Sequence, residues 1–182
     1  MRADAQRNRD KILAVTEQLL KKDNSQALTM AQIAQAAHIG VGTIYRKFPT
    51  KGDLLLALAY NRLEGFLEKH QYLLQKKDIT RLDVEQTIAD YVAFREQRMK
   101  LSAGSFESAL KYYQRQNYRR LHKLFRHLIR SQSPQMDYQT AAFRADMLIA
   151  MLRSDSYSLQ RSERGLAPQE IVEQIMLLFF GN

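Results

Sequence analysis

The chain has no cysteine, which excludes disulfides, thiolate metal sites and cysteine nucleophiles, and agrees with a reducing cytoplasm. Only three prolines and seven glycines punctuate its 182 residues, and no alternating strand pattern persists. No apolar run approaches the roughly 18 residues a membrane span needs, and the opening "MRADAQRNRDK" lacks the apolar core of a signal peptide. A cytoplasmic protein without membrane partners is the expectation. Catalytic patterns are equally scarce. His122 and His127 are five apart, about 140° around a helix, too divergent to share a metal. Gly40-x-Gly42 lacks the third glycine and the preceding strand of a dinucleotide site. Glu64 and Glu68 share a helical face, but no Glu-x-x-His accompanies them, and no nucleophile stands with a base. The sequence therefore predicts no catalytic residue, no metal and no cofactor.

What is present is an ordinary globular composition, 45% hydrophobic and 26% charged. The length suits one generous domain or a small module joined to a larger one. Net charge is +9, and residues 1–51 hold nine Lys/Arg against four Asp/Glu, while the remainder holds 19 against 15. The first quarter thus carries +5 of the excess, an asymmetry that suits a polyanionic partner as well as a solvated basic surface.

Apolar residues recur at helical spacing throughout. Ile12, Leu13, Thr16, Leu19 and Leu20 form one stripe, ended by "KKDNSQ". Thr29 followed by Gln32 fits a capping box, with Leu28 and Ile33 as its hydrophobic staple, and starts a short helix to about Ala37. The turn "HIGVG" leads to another short helix from about Val41 that ends by Phe48, because Pro49 pushes its predecessor out of helical geometry. Thr50 with Asp53 caps a fourth helix reaching toward Leu74.

Two short helices joined by a tight turn, the second rich in small, hydroxyl and basic residues, follow the helix-turn-helix plan. Ile39 and Ile44 would point inward, leaving Val41, Thr43, Arg46 and Lys47 exposed and Gly42 close to whatever the helix faces. In a major groove Arg or Lys reaches guanine acceptors, and Thr or Val touches a thymine methyl. Thr29, Tyr45 and Lys51, at helix ends or on the flank, suit phosphates.

The stretch "LTMAQIAQAAHIGVGTIYRKFPTKGDLL" resembles the signature of the TetR family of bacterial transcription regulators over about Ile12 to Leu58. The resemblance implies an all-α protein, with a three-helix DNA-binding module at residues 1–50 and a ligand-sensing and dimerisation domain at 51–182. It implies phosphate contacts from Thr29, Tyr45 and Lys51, and a groove-lining set of Val41, Gly42, Thr43, Arg46 and Lys47. Two departures stand out: His38 occupies the family's turn-glycine position, so a histidine would have to take positive φ, and Gly40 replaces the frequent serine cap.

Beyond about residue 77 the family pattern weakens. A helix over about Leu82 to Arg98 places Val84, Ile88, Tyr91, Val92 and Phe94 inward, and stripes recur from Phe106 to about Arg130. Tyr91, Phe94, Arg98, Phe106 and Tyr113 are spaced to form an aromatic pocket with a cation at its rim, or a plain aromatic core; the resemblance implies a small-molecule effector there. Arg119, Lys123, Arg126 and Arg130 repeat at four, three and four, a solvated stripe or a site for an anionic ligand, an acidic partner or DNA. "AAFRADMLIAML" and "PQEIVEQIMLLFF" are apolar on most sides, so these two helices need cover on two sides. A homodimeric four-helix interface using Met147, Met151, Ile171, Ile175 and Leu178 would supply it, as the resemblance also implies; the alternative is a single terminal hairpin buried within a monomer.

The reading is a one-component DNA-binding transcriptional regulator, a repressor released from a pseudo-palindromic operator by a small molecule, with double-stranded DNA and a second copy as partners. The alternative is a helical small-molecule-binding or interaction module whose helix-turn-helix goes unused.

Overall fold

The computed structural model describes residues 2–22, 28–101, 116–153 and 155–181, which are helical throughout with no strand among them. The order is α1 (Arg2–Lys22), α2 (Met30–Ala36), α3 (Val41–Lys47), α4 (Lys51–His70) with a 3-10 turn at Gln71–Leu74, α5 (Arg81–Leu101), α6 (Gln116–Gln132), α7 (Tyr138–Met151), α8 (Asp155–Ser158) with a π turn at Leu159–Glu163, and α9 (Pro168–Phe180).

Helix ends follow local chemistry. Thr29 closes a full capping box on α2, its hydroxyl oxygen accepting from the Gln32 amide while the Gln32 side chain accepts from the Thr29 amide. Thr50 and Asp53 do the same for α4, and Thr80 and Asp83 for α5. Lys76 lies 2.6 Å from the Asp83 carboxylate, and together with Thr80 it holds that carboxyl down to about 2. Asp137 caps α7, and Pro168 occupies the first turn of α9, where its missing amide costs little.

The exit from α2 is set by His38, which takes φ +50°. Its amide donates to the Gln35 carbonyl, and the Ile39 amide reaches back to the Ala34 carbonyl, the pair of bonds that defines a Schellman ending. Glycine normally occupies this conformation because a Cβ crowds the following carbonyl there, at roughly 1–2 kcal/mol. His38→Gly should therefore raise stability by about 0.5–1 kcal/mol, the relief being partly offset by the freer unfolded chain. An unchanged or lower denaturation midpoint would show that the histidine compensates its strain elsewhere.

Two compact units part within α4, between Asn61 and Arg62. Leu54, Leu55 and Leu58 join Ile12, Leu13, Ile33, Ile44 and Phe48 in the first core. Thr16 is buried beside them, its hydroxyl donating to the Ile12 carbonyl at 2.7 Å. Leu63, Phe66 and Leu67, further along α4, belong to the second core, with apolar residues of α5, α6, α7 and α9. That second core centres on clustered rings, Tyr91 lying tilted at 5.3 Å from Phe66, stacked at 5.6 Å on Phe94 and edge-on at 5.0 Å to Phe125.

Two polar clusters bind distant segments of this unit. Glu96 on α5 accepts from the Tyr157 hydroxyl at 2.5 Å and from Arg161 Nε at 2.6 Å, anchoring α8 and the π turn; burial and Glu96 push the Tyr157 phenol above its ordinary range. His70, buried at the end of α4, places Nε2 2.9 Å from Asp90 and Nδ1 3.2 Å from the Thr87 hydroxyl, with Lys69 on the same Asp90 oxygen. Burial outweighs the Asp90 carboxylate and lowers the His70 pKa from its ordinary 6.5. The folded protein then binds fewer protons than the unfolded chain near that pH, so this contribution is present above it and lost as pH falls through it. The melting temperature should fall between about pH 7.5 and 5.5, and His70→Gln should flatten that decline. A melting temperature indifferent to pH over this range would contradict the assignment.

Candidate functional site

The predicted groove residues Val41, Gly42, Thr43, Arg46 and Lys47 all lie on α3 of the first unit, around the arc left by buried Ile44. Ile44 is fully buried and Phe48 nearly so, while Ile39 packs half-buried against the same core; these three fix the roll of α3. The remaining faces of α3 stay open. Val41 is 44% and Tyr45 48% exposed, one turn apart on a single stripe, with Arg46 exposed and Thr43 and Lys47 half-buried. Arg46 and Lys47 also sit in the last turn of α3, where cations are favoured by the helix dipole.

Gly42 is the informative residue of this set. Its φ is not positive, and a Cβ built on it would meet no atom within 4 Å. Neither backbone conformation nor internal packing calls for glycine there, as is also true of Gly65 in the middle of α4. Gly40, the residue before α3, is similar: it is extended at φ −61° and ψ 137°, makes no side-chain cap, and its Cβ would touch only Thr43 Oγ1 at 4.0 Å.

Phosphate candidates flank this face. Thr29 is committed to its capping box, its hydroxyl donating to Gln32 Oε1 at 2.9 Å, so an outside acceptor there would compete with Gln32. Lys51 opens α4 just after the Thr50 cap, at the positive end of a helix 20 residues long.

In the second unit, of the predicted pocket residues, Tyr91 and Phe94 are buried in the stacked aromatic cluster and Arg98 is half-buried; Phe106 and Tyr113 lie outside the described residues. The two histidines spend their Nε2 atoms on carbonyls, His122 on Ala142 at 3.2 Å and His127 on Leu73 at 3.1 Å. Glu64 pairs with Arg120.

The apolar pairing face needs a correction. Ile171 and Ile175 are 5% and 0% exposed within their own core, so they are already covered by this protomer and are not surface residues. The cause is angular. On α9 the buried arc runs through Ile171, Ile175, Phe179, Val172 and Met176, and Leu178 falls just past its edge. Met147 and Leu178 are indeed open at 42% and 64%, and Met151 is half-buried. Phe143 at 62% and Leu177 at 52% join them; neither was picked from the sequence, although Phe143, Met147 and Met151 recur every four residues, the spacing of one helical stripe. Helices α7 and α9 pack against each other.

Comparison with known proteins agrees with this geometry. Residues 12–58 match the family described as "Bacterial regulatory proteins, tetR family". An HTH-type transcriptional regulator of Staphylococcus aureus strain USA300 is 27% identical over 171 residues, covering 92% of this chain and 89% of its own length; its counterpart in strain MRSA252 is 28% identical over the same span. Among solved structures, the fatty acid degradation regulator FadR from Bacillus halodurans superposes with a TM-score of 0.57 at 20% identity, over 94% of each chain. NalD of Pseudomonas aeruginosa, the secondary repressor of the MexAB-OprM multidrug efflux pump, does so with 0.51 at 17%, over 98% of this chain and 97% of its own. At such identities these structures establish a shared fold.

Proposed function

Because the chain belongs to the TetR family of DNA-binding transcription regulators, we propose that it acts as a homodimeric repressor in the cytoplasm, binding a pseudo-palindromic operator through α3 and releasing it when a small molecule binds residues 51–182. In this reading residues 1–50 form the DNA module. Val41, Gly42, Thr43, Arg46 and Lys47 line the major groove, and Thr29, Tyr45 and Lys51 hold phosphates. The observation that carries it is Gly42: a glycine without internal cause, set among exposed Val41, Tyr45 and Arg46. The names of FadR and NalD point to fatty-acid degradation and drug efflux for those two proteins, and a hydrophobic effector is the corresponding reading for this chain, near Tyr91, Phe94 and Arg98. Such a ligand needs only about 1–3 kcal/mol of preference between two conformations to change operator occupancy.

The test begins with selection of bound sequences from a random duplex pool, which should return half-sites about one or more helical turns apart. Lys47→Ala should then relax base preference at one position per half-site. Lys51→Ala should weaken all sequences alike and flatten the dependence of affinity on salt. If the pool yields no preferred sequence and binding is insensitive to salt, the helix-turn-helix is not used on DNA and the chain is a ligand-binding or interaction module instead.

A further inference from the structure

The face of α6 opposite its core stripe is cationic. Leu121, Leu124, Phe125, Leu128 and Ile129 are buried, while Arg119, Lys123 and Arg126 follow one another at four and three on the far side, within about 10 Å of helix. These three line an open groove of about 690 Å³ between α6 and α7, whose apolar walls are the ring of Tyr118 and the Met147 side chain. That volume lies in the range of small-molecule sites.

One carboxylate, Asp146, also faces the groove and offsets part of its positive charge. Asp146 accepts from the Tyr118 hydroxyl and lies 3.4 Å from His122 Nε2. Among the described residues no acid pairs with Arg119 or Lys123. Arg126 lies over the Tyr138 ring at 4.3 Å and donates to its hydroxyl, which orients the guanidinium without neutralising it. Three like charges so close together repel one another, and the repulsion is relieved by an anion of matching valence.

We propose that this groove binds a small phosphate-bearing molecule that carries at least two negative charges and has an apolar portion. Guanidinium forks match phosphate oxygens two at a time, and a lysine between them adds a point charge. A single carboxylate would answer one cation and leave two. The apolar portion has the ring of Tyr118 to lie on. A DNA duplex is far too wide to enter a recess of this volume.

The experiment is calorimetric titration of the full chain with four probes: pyrophosphate, orthophosphate, decyl phosphate below its micellar concentration, and decanol. Saturable binding is expected for pyrophosphate and decyl phosphate, weaker binding for orthophosphate and none for decanol, with affinity falling several-fold on raising salt from about 0.05 to 0.3 M. The double variant Arg119→Gln, Lys123→Gln should lose at least about tenfold in affinity with an unchanged melting curve, since both residues are exposed. Lys47→Ala should bind the probes as the parent does. The proposal is overturned if neither phosphate probe saturates, if the double variant binds them as the parent does, or if the double variant loses DNA affinity while small anions never bind, which would make the stripe a DNA contact.

Discussion

Gly42→Ala is expected to make the protein more stable and a worse DNA binder. The stability side follows from the local structure alone. Gly42 lies in the first turn of α3 with helical backbone, and an added methyl has no atom within 4 Å to strike. Alanine there restricts the unfolded chain and favours the helix, for a gain of about 0.5–1 kcal/mol. The binding side follows from the proposed orientation of α3. A methyl at the point where helix and groove come closest holds the helix off, stretching neighbouring phosphate contacts worth about 1.5–3 kcal/mol each when charge-assisted. Losing one per half-site corresponds to a fall of roughly tenfold to a hundredfold for each protomer. The opposite signs make the experiment decisive, since a variant that binds poorly because it is misfolded would also melt earlier. Denaturant midpoints and binding isotherms on the selected operator provide both readings. Higher stability with undiminished affinity would mean that Gly42 does not face DNA.

The helix boundaries of the first unit were legible in the sequence, because their determinants are local. A threonine with a glutamine or aspartate three residues on declares a helix start, and Thr29 and Thr50 each form that box. The turn after α2 was legible through the resemblance, which put His38 at the family's turn-glycine position, and the Schellman ending found there does hold His38 at positive φ. Legibility fades where contacts are distant in sequence. Helix α8 and its π turn are held by Tyr157 and Arg161 reaching Glu96, more than sixty residues away, and no local spacing announces that. Leu128 and Met147 illustrate the same limit on surfaces. Both are apolar and both sit on amphipathic helices, yet Leu128 is wholly buried and Met147 is 42% exposed, because composition records that a helix needs cover without recording which arc its own domain already supplies. The groove between α6 and α7 was half legible: the cationic period could be read, whereas the placing of Asp146 and Met147 across from it depends on a second helix.

That distinction between covered and open arcs sets the largest effects expected in the second unit. Phe143→Lys and Leu178→Lys should each convert the proposed homodimer to a folded monomer, whereas Ile175→Glu should unfold the domain. Phe143 and Leu178 are 62% and 64% exposed in the protomer, so a lysine at either position remains hydrated in the isolated chain and changes its stability by no more than about 0.5 kcal/mol. In a dry interface between two copies the same ammonium would be stripped of water without a partner, a loss of several kcal/mol that appears twice because the interface is symmetric. The dissociation constant should rise by at least about a hundredfold. Ile175 offers no such choice: at 0% exposure its replacement by glutamate buries the carboxylate in the protomer itself, and the penalty falls on folding. Sedimentation equilibrium with circular dichroism separates the outcomes, and binding to a full palindrome against a single half-site connects them to function. A folded monomer should retain half-site affinity and lose the gain from the second half-site. Should both lysine variants sediment as the parent dimer with unaltered affinity for the palindrome, the open face of α7 and α9 is not where two copies meet.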